Sequence, residues 1–273
     1  MSGGRCETGK LVSGAAVPIL MYHEISPHPH PAFQRYTVTV RDFTRHMRWL
    51  AALGYRAINM DALVRVRKGQ GKLPKRPFVI TFDDGFQGSV DHAVPVLRTY
   101  GFTAVFYLVA GCMGTSSRWM IAETGLELPT MSWDTARTLS GGGFQCGAHS
   151  VTHPRLTHVT PAQRRSELVD GRKILEDQLG CPVAHLAYPF GAYDEKVLDV
   201  AMEAGYSTAC STRPGLSRAD DDLLALHRVK VYGHDSLPNF ISRVLTGASV
   251  RQRLGGAVEP LVSAMRRRAG ARL

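Results

Sequence analysis

The chain has 273 residues, 44% of them hydrophobic and 21% charged, which excludes a disordered or fibrous chain and allows one large core. Its net charge of +10 admits nucleic acid, anionic lipid or an acidic glycan as partners, and no apolar run approaches the roughly 18 residues that span a bilayer. The five cysteines are scattered and form no C-x-x-C pair, which argues against a disulfide framework or a zinc knuckle. They read as free thiols of a reducing compartment, so the cytoplasm is the expected location.

Residues 1–16 read as an N-terminal extension. Arg5 and Lys10 precede an apolar run, but Ser13, Gly14 and Pro18 interrupt it, so it is not expected to act as an export signal. Strands are expected at 17–25, 78–82, 103–109, 144–149, 184–188, 207–210 and 227–232. Helices are expected at 40–53, 61–66, 89–100, 133–139, 161–179, 195–204 and 239–245. The helix at 161–179 has the clearest ends, with Thr160 as N-cap, Pro161 in the first turn and Gly180 as terminator. Strands alternating with helices imply a parallel sheet, doubly wound or closed. Chemistry-bearing residues cluster at the ends of several different strands, which favours an irregular α/β barrel over an open sheet. One catalytic domain is expected over 17–249, followed by a basic tail over 250–273. In that tail six arginines face one acid, Glu259, and Leu254, Val258, Leu261, Val262 and Met265 form a crude apolar stripe. It reads as a solvated helix, with peripheral contact to an anionic membrane as the alternative. Gly255, Gly256 and Pro260 weaken that helix. Nucleic acid is not an expected partner.

The chemistry concentrates in two segments. Thr81-Phe82-Asp83-Asp84-Gly85 ends an apolar run with adjacent carboxylates and a turn residue. Neighbouring side chains leave a strand on opposite sides, so one carboxylate can hold a metal while the other faces a reacting water. His149-Ser150-Val151-Thr152-His153-Pro154 adds two imidazoles, and Pro154 pushes His153 out of helical geometry into a loop. One oxygen ligand, two nitrogen ligands and a spare carboxylate suit one divalent ion, zinc above all, with cobalt or nickel also accommodated. His23 ends the first strand and is expected either to contact substrate or to make a supporting hydrogen bond. His28 and His30 read as loop residues.

The order TFDDG, H-S-x-x-H, Y-P-F-G, with the last at 188–191, resembles the polysaccharide deacetylase family of carbohydrate esterases. The segments Pro18–His23 and Ala187–Gly191 are similar to the branch that includes bacterial poly-N-acetylglucosamine deacetylases. The resemblance runs from about residue 18 to about residue 232. It implies a distorted (β/α) barrel and metal-dependent removal of acetyl groups from N-acetylated sugars of a polysaccharide, oligosaccharide or glycolipid. It assigns Asp84, His149 and His153 to the metal and Asp83 to the general base. It also sets the backbone N–H of Phe190 against the oxyanion. Tyr188 and His23 are expected to contact the sugar, and Trp119, Trp133, Tyr107 and Tyr193 are further stacking candidates.

Two departures stand out. Members of the family often carry an arginine, paired with the catalytic aspartate, where this chain has Ala187; Arg228 is the candidate replacement. Members also often carry a leucine-x-histidine element that supplies the general acid, but here Leu226 and His227 are adjacent. His227 is expected either to be that acid or merely to begin the last strand, and a protonated Asp83 is the fallback. The alternative functions are a glycan-binding member that has lost turnover, or a deacetylase of another small amide or ester.

Overall fold

The computed structural model describes residues 16–253. Seven parallel strands form its centre: β1 (Ile19–Tyr22), β2 (Pro77–Phe82), β3 (Val105–Leu108), β4 (Gln145–Ala148), β5 (His185–Ala187), β6 (Thr208–Pro214) and β7 (Leu226–Lys230). Each pairs with its neighbours in sequence, and β1 pairs with both β2 and β7, which closes the ring. The expected irregular barrel is therefore what the chain forms. The strand expected at 17–25 is shorter than that. After Tyr22 the chain leaves the barrel, and Glu24–Ile25 pairs instead with Thr37–Val38.

Helices pack around the ring: α1 (Val40–Ala52), α2 (Met60–Arg67), α3 (Gln87–Thr99), α4 (Trp133–Gly141), α5 (residues 161–179), α6 (Glu195–Glu203) and α7 (Leu237–Thr246). Their starts are written locally. Thr39, Asn59, Ser132 and Asp194 each accept a backbone N–H of the first turn, and Thr160 and Gln163 form a capping box. Helix α5 contains a π-helical turn at Ser166–Asp170, a local irregularity that recurs beside functional sites.

Strand alternation divides the core in two. Ile19, Val79, Val105, Tyr107, Ala187, Cys210 and Leu226 fill the barrel interior. Leu20, Ile80, Phe82 and Phe106 face outward and pack under the helices. Both faces of β2 are buried, so Phe78, Val79 and Ile80 read as a continuous apolar run rather than an alternating one. Each such side chain contributes roughly 1.5–3 kcal/mol on burial. Parity also aims the polar residues: Thr81 and Asp83 share the inner face with Val79, and Arg228 and Lys230 share it with Leu226.

Tyr107 lies wholly inside the barrel with its hydroxyl 3.4 Å from Cys210 Sγ, so it cannot stack on a sugar. The N-terminal extension up to residue 15 and the tail stripe from Leu254 onward lie outside the described residues. No described helix is long and apolar enough to cross a membrane.

Candidate active site

A cavity of 360 Å³ opens at the C-terminal end of the barrel, and Asp83, Asp84, His149 and His153 line it. Asp84 follows β2 with φ of 76°, and Gly85 continues at 69°, so the chain turns at once and aims the second carboxylate across the mouth. Asp84 Oδ1 lies 3.4 Å from His149 Nε2 and 3.3 Å from His153 Nε2. One ligand atom from each of the three residues falls within 4.8 Å of the others. His149 Nδ1 is 2.7 Å from the carbonyl oxygen of Ala187. A carbonyl only accepts, so Nδ1 carries the proton and the Nε2 lone pair of the neutral ring points at the cluster.

Asp84 Oδ1 is buried and has no hydrogen-bond partner among the described residues. The imidazole nitrogens stand too far away for good hydrogen bonds. A buried carboxylate oxygen left in this state is costly unless a cation completes its surroundings. That orphaned oxygen and the two-nitrogen, one-oxygen donor set fit a divalent metal. Burial works to raise the Asp84 pKa, but the two imidazoles outweigh it and hold the carboxyl far below the usual range. Burial also disfavours the charged form of both histidines. The carboxylates override it at His149, whose pKa goes up, and not at His153, whose pKa goes down.

The loop that carries His153 is strained and clamped. Five non-glycine residues among those described have positive φ, and four of them are Asp84, Ser150, His153 and Phe190. Each such residue costs on the order of 1–3 kcal/mol and persists only where its surroundings impose it. Part of that imposition comes from the π turn of α5. Glu167 accepts hydrogen bonds from the Val151 N–H at 2.8 Å, the Thr152 N–H at 2.9 Å and the Thr152 hydroxyl at 2.5 Å. Ser150 Oγ accepts the His153 N–H at 3.0 Å. Nothing in the sequence pattern of this helix singles out Glu167.

Asp83 has the partner that Ala187 denies it. Arg228 Nη1 and Nη2 donate to Asp83 Oδ1 and Oδ2, each at 2.7 Å, and the two side chains are 0% and 3% exposed. Arg228 also donates to Thr81 Oγ1 and to the Ser211 carbonyl. Burial alone would raise the Asp83 pKa; the Arg228 charge and its hydrogen bonds override that and keep the carboxyl below its ordinary value.

His23 continues the inward parity of Ile19 and Met21 and lines the same cavity. Its Nδ1 is buried without a partner among the described residues. Burial lowers its pKa, against the pull of Asp84 and Asp83. Phe190, with φ of 58°, sits in the cavity wall with its ring 4.7 Å from that of His153. Its turn is locked against β6, since a Cβ on Gly191 would collide with the backbone and side chain of Thr212. Tyr188 reaches the cavity, but its hydroxyl donates to the Leu224 carbonyl at 2.9 Å and its ring stacks on Tyr193. Trp119 stacks on His153 at 5.0 Å and lines the mouth, whereas Trp133 packs against the outer core.

His227 is not at this site. It alternates with Arg228, so one faces inward and the other outward. Its Nδ1 lies 3.2 Å from Asp221 Oδ2, in a separate cavity shared with Gly215 and Thr246. It begins the last strand, and the reading of it as the acid fails on that geometry.

Residues 70–209 match the family model described as polysaccharide deacetylase. The chain belongs to the polysaccharide deacetylase family. The matched stretch holds both carboxylates, His149 and His153 of the cluster and the turn at Phe190, but neither His23 nor Arg228. Among curated relatives, YxkH of Bacillus subtilis (strain 168), named for the same family, is 29% identical over 222 residues, covering 81% of this chain and 74% of the relative. The chitooligosaccharide deacetylase of Bradyrhizobium sp. (strain ANU 289) is 26% identical, covering 76% of this chain and 92% of the relative. Among solved structures, the Streptococcus pyogenes deacetylase PplD in complex with acetate superposes with a TM-score of 0.74 at 24% identity, covering 84% of this chain and 98% of that one. At that identity the superposition speaks for the polysaccharide deacetylase barrel alone.

Proposed function

We propose that this member of the family is a metal-dependent hydrolase that removes acetyl groups from an N-acetylated sugar. The observation that carries the proposal is the orphaned Asp84 oxygen between two imidazoles, next to an Asp83 held ionised by Arg228. Asp84, His149 and His153 would hold the ion, with zinc as the expected metal. Such an ion polarises an amide carbonyl and lowers the pKa of water towards ~7. Asp83 presents its remaining lone pairs to the attacking water and takes its proton, while Arg228 fixes the carboxylate in one orientation. The Phe190 turn offers a backbone donor for the oxyanion, an interaction whose loss typically raises a barrier by ~3 kcal/mol. With His227 outside the cavity, His23 is the imidazole left to hand a proton to the departing amine.

The rival reading, a glycan-binding protein without turnover, draws on Ala187 and on the doubtful acid His227; the Arg228–Asp83 pair answers the first, and the second rests on His23 serving in place of His227. The test is metal analysis together with acetate release from N-acetylglucosamine oligomers. About one ion per chain and loss of acetate release in Asp83→Asn are expected, and full activity in an Asp84→Ala, His149→Ala double variant would end the proposal. A cytoplasmic location stays part of this reading, to be checked by fractionation.

A further inference from the structure

The walls above the ligand cluster carry more positive charge than a neutral acetamido sugar requires. Arg35, Arg155 and Lys230 all line the cavity, and the acid among the rim residues is Glu123. Deeper in, Asp83 is neutralised by Arg228, and a divalent ion would more than offset Asp84. The rim cations are also placed rather than loose. The Arg35 guanidinium lies 4.9 Å from the Tyr232 ring centre and 5.6 Å from that of Tyr36. The Arg155 guanidinium lies 4.0 Å from the centre of the Phe190 ring, which also lines the cavity. Lys230 shares the inward face of β7 with Arg228, one layer nearer the mouth. Among the described residues Arg35 and Lys230 make no ion pair, and Arg155 has only a long 3.8 Å contact to the exposed Glu123.

An arginine stacked on an aromatic ring keeps its N–H fork free for a planar or tetrahedral anion. A mouth whose rim carries three cations against one acid also concentrates anionic ligands. We propose that the substrate of this cavity is an acetamido sugar bearing an anionic substituent, a phosphate or a carboxylate, which Arg35, Arg155 and Lys230 recognise. The inference rests on the proposed function for the neutral part of the ligand and for the ion that offsets Asp84.

The experiment measures calorimetric binding of N-acetylglucosamine, N-acetylglucosamine 1-phosphate and N-acetylmuramic acid to the full-length, metal-loaded protein at low and high salt. At least one anionic sugar is expected to bind at least about tenfold more tightly than the neutral one, equivalent to about 1.4 kcal/mol. Which one does so separates the phosphate from the carboxylate. The gap is expected to close at high ionic strength and in an Arg35→Gln, Arg155→Gln, Lys230→Gln variant whose thermal unfolding matches the parent. Equal affinities for all three sugars, or a preference that survives in the triple variant, would overturn the proposal. Acetate is measured in the same samples. Anionic preference without acetate release would leave this inference standing and count against deacetylation, while acetate release without preference would do the reverse.

Discussion

Replacing Arg228 by methionine isolates the pair that braces Asp83. Two hydrogen bonds of 2.7 Å join groups that are 0% and 3% exposed, so the substitution leaves an ionised carboxylate buried without a counter-charge. Breaking such a pair from one side costs about 3–5 kcal/mol. For a chain of this size, about 2–4 °C per kcal/mol converts that to a fall in melting temperature of roughly 6–20 °C. The penalty belongs to the stranded charge more than to the lost contact. Adding Asp83→Asn, which removes that charge at constant shape, should therefore return a large part of the loss. Thermal and urea unfolding of the metal-loaded parent, both single variants and the double variant would read the cycle. An Arg228→Met protein within about 1 kcal/mol of the parent, or a double variant no more stable than Arg228→Met alone, would refute the reasoning.

Three further outcomes are expected. His23→Ala should lower kcat for acetate release by ~10²–10⁴ while His227→Ala changes it less than about twofold; a large loss in His227→Ala would reverse the assignment of the proton donor. Glu24 is buried, and that burial, reinforced by Asp91 and Asp84 against a Ser89 hydrogen bond, pushes its pKa up to about 8. The unfolded carboxyl ionises near ~4.3. Its stabilising contribution is thus complete below that pH and is lost as pH rises towards the folded value, by up to ~1.4 kcal/mol per pH unit. Glu24→Gln should accordingly raise the melting temperature more at pH 8 than at pH 5, and an equal effect at both would show that Glu24 does not titrate in this way. Glu167→Ala releases the loop behind His153 and should weaken zinc affinity by about 10–100-fold in a competitive chelator titration; unchanged affinity would mean the loop holds its shape unaided.

Asp83, Asp84, His149 and His153 were legible in the sequence because strand parity and the turn after Phe82 act over a handful of residues. The barrel was legible for a similar reason, since helix caps such as Thr160 and terminators such as Gly180 are local signals. The bond from Arg228 to Asp83 spans 145 positions, and only closure of the ring between β1 and β7 brings the two together. His227 misled because a histidine beside Leu226 suits a familiar pairing. Once Leu226 and Arg228 occupy the inner face, the residue between them must face outward. Glu167 was invisible because it acts through one π turn inside a helix whose Leu168, Leu175 and Leu179 spacing looks regular.

The position of Arg228 on β7 ties assembly of the chain to its chemistry. Strand β7 is the last of the seven described barrel strands to emerge during synthesis, and until it docks, β1 and β6 are open edges and Asp83 is an unmated charge in a forming interior. A fragment trimmed to the matched residues 70–209 would lack β1 and β7 as well as the guanidinium. Closure of the ring and the counter-charge of Asp83 are therefore supplied by one and the same strand, which acts as the latch for both.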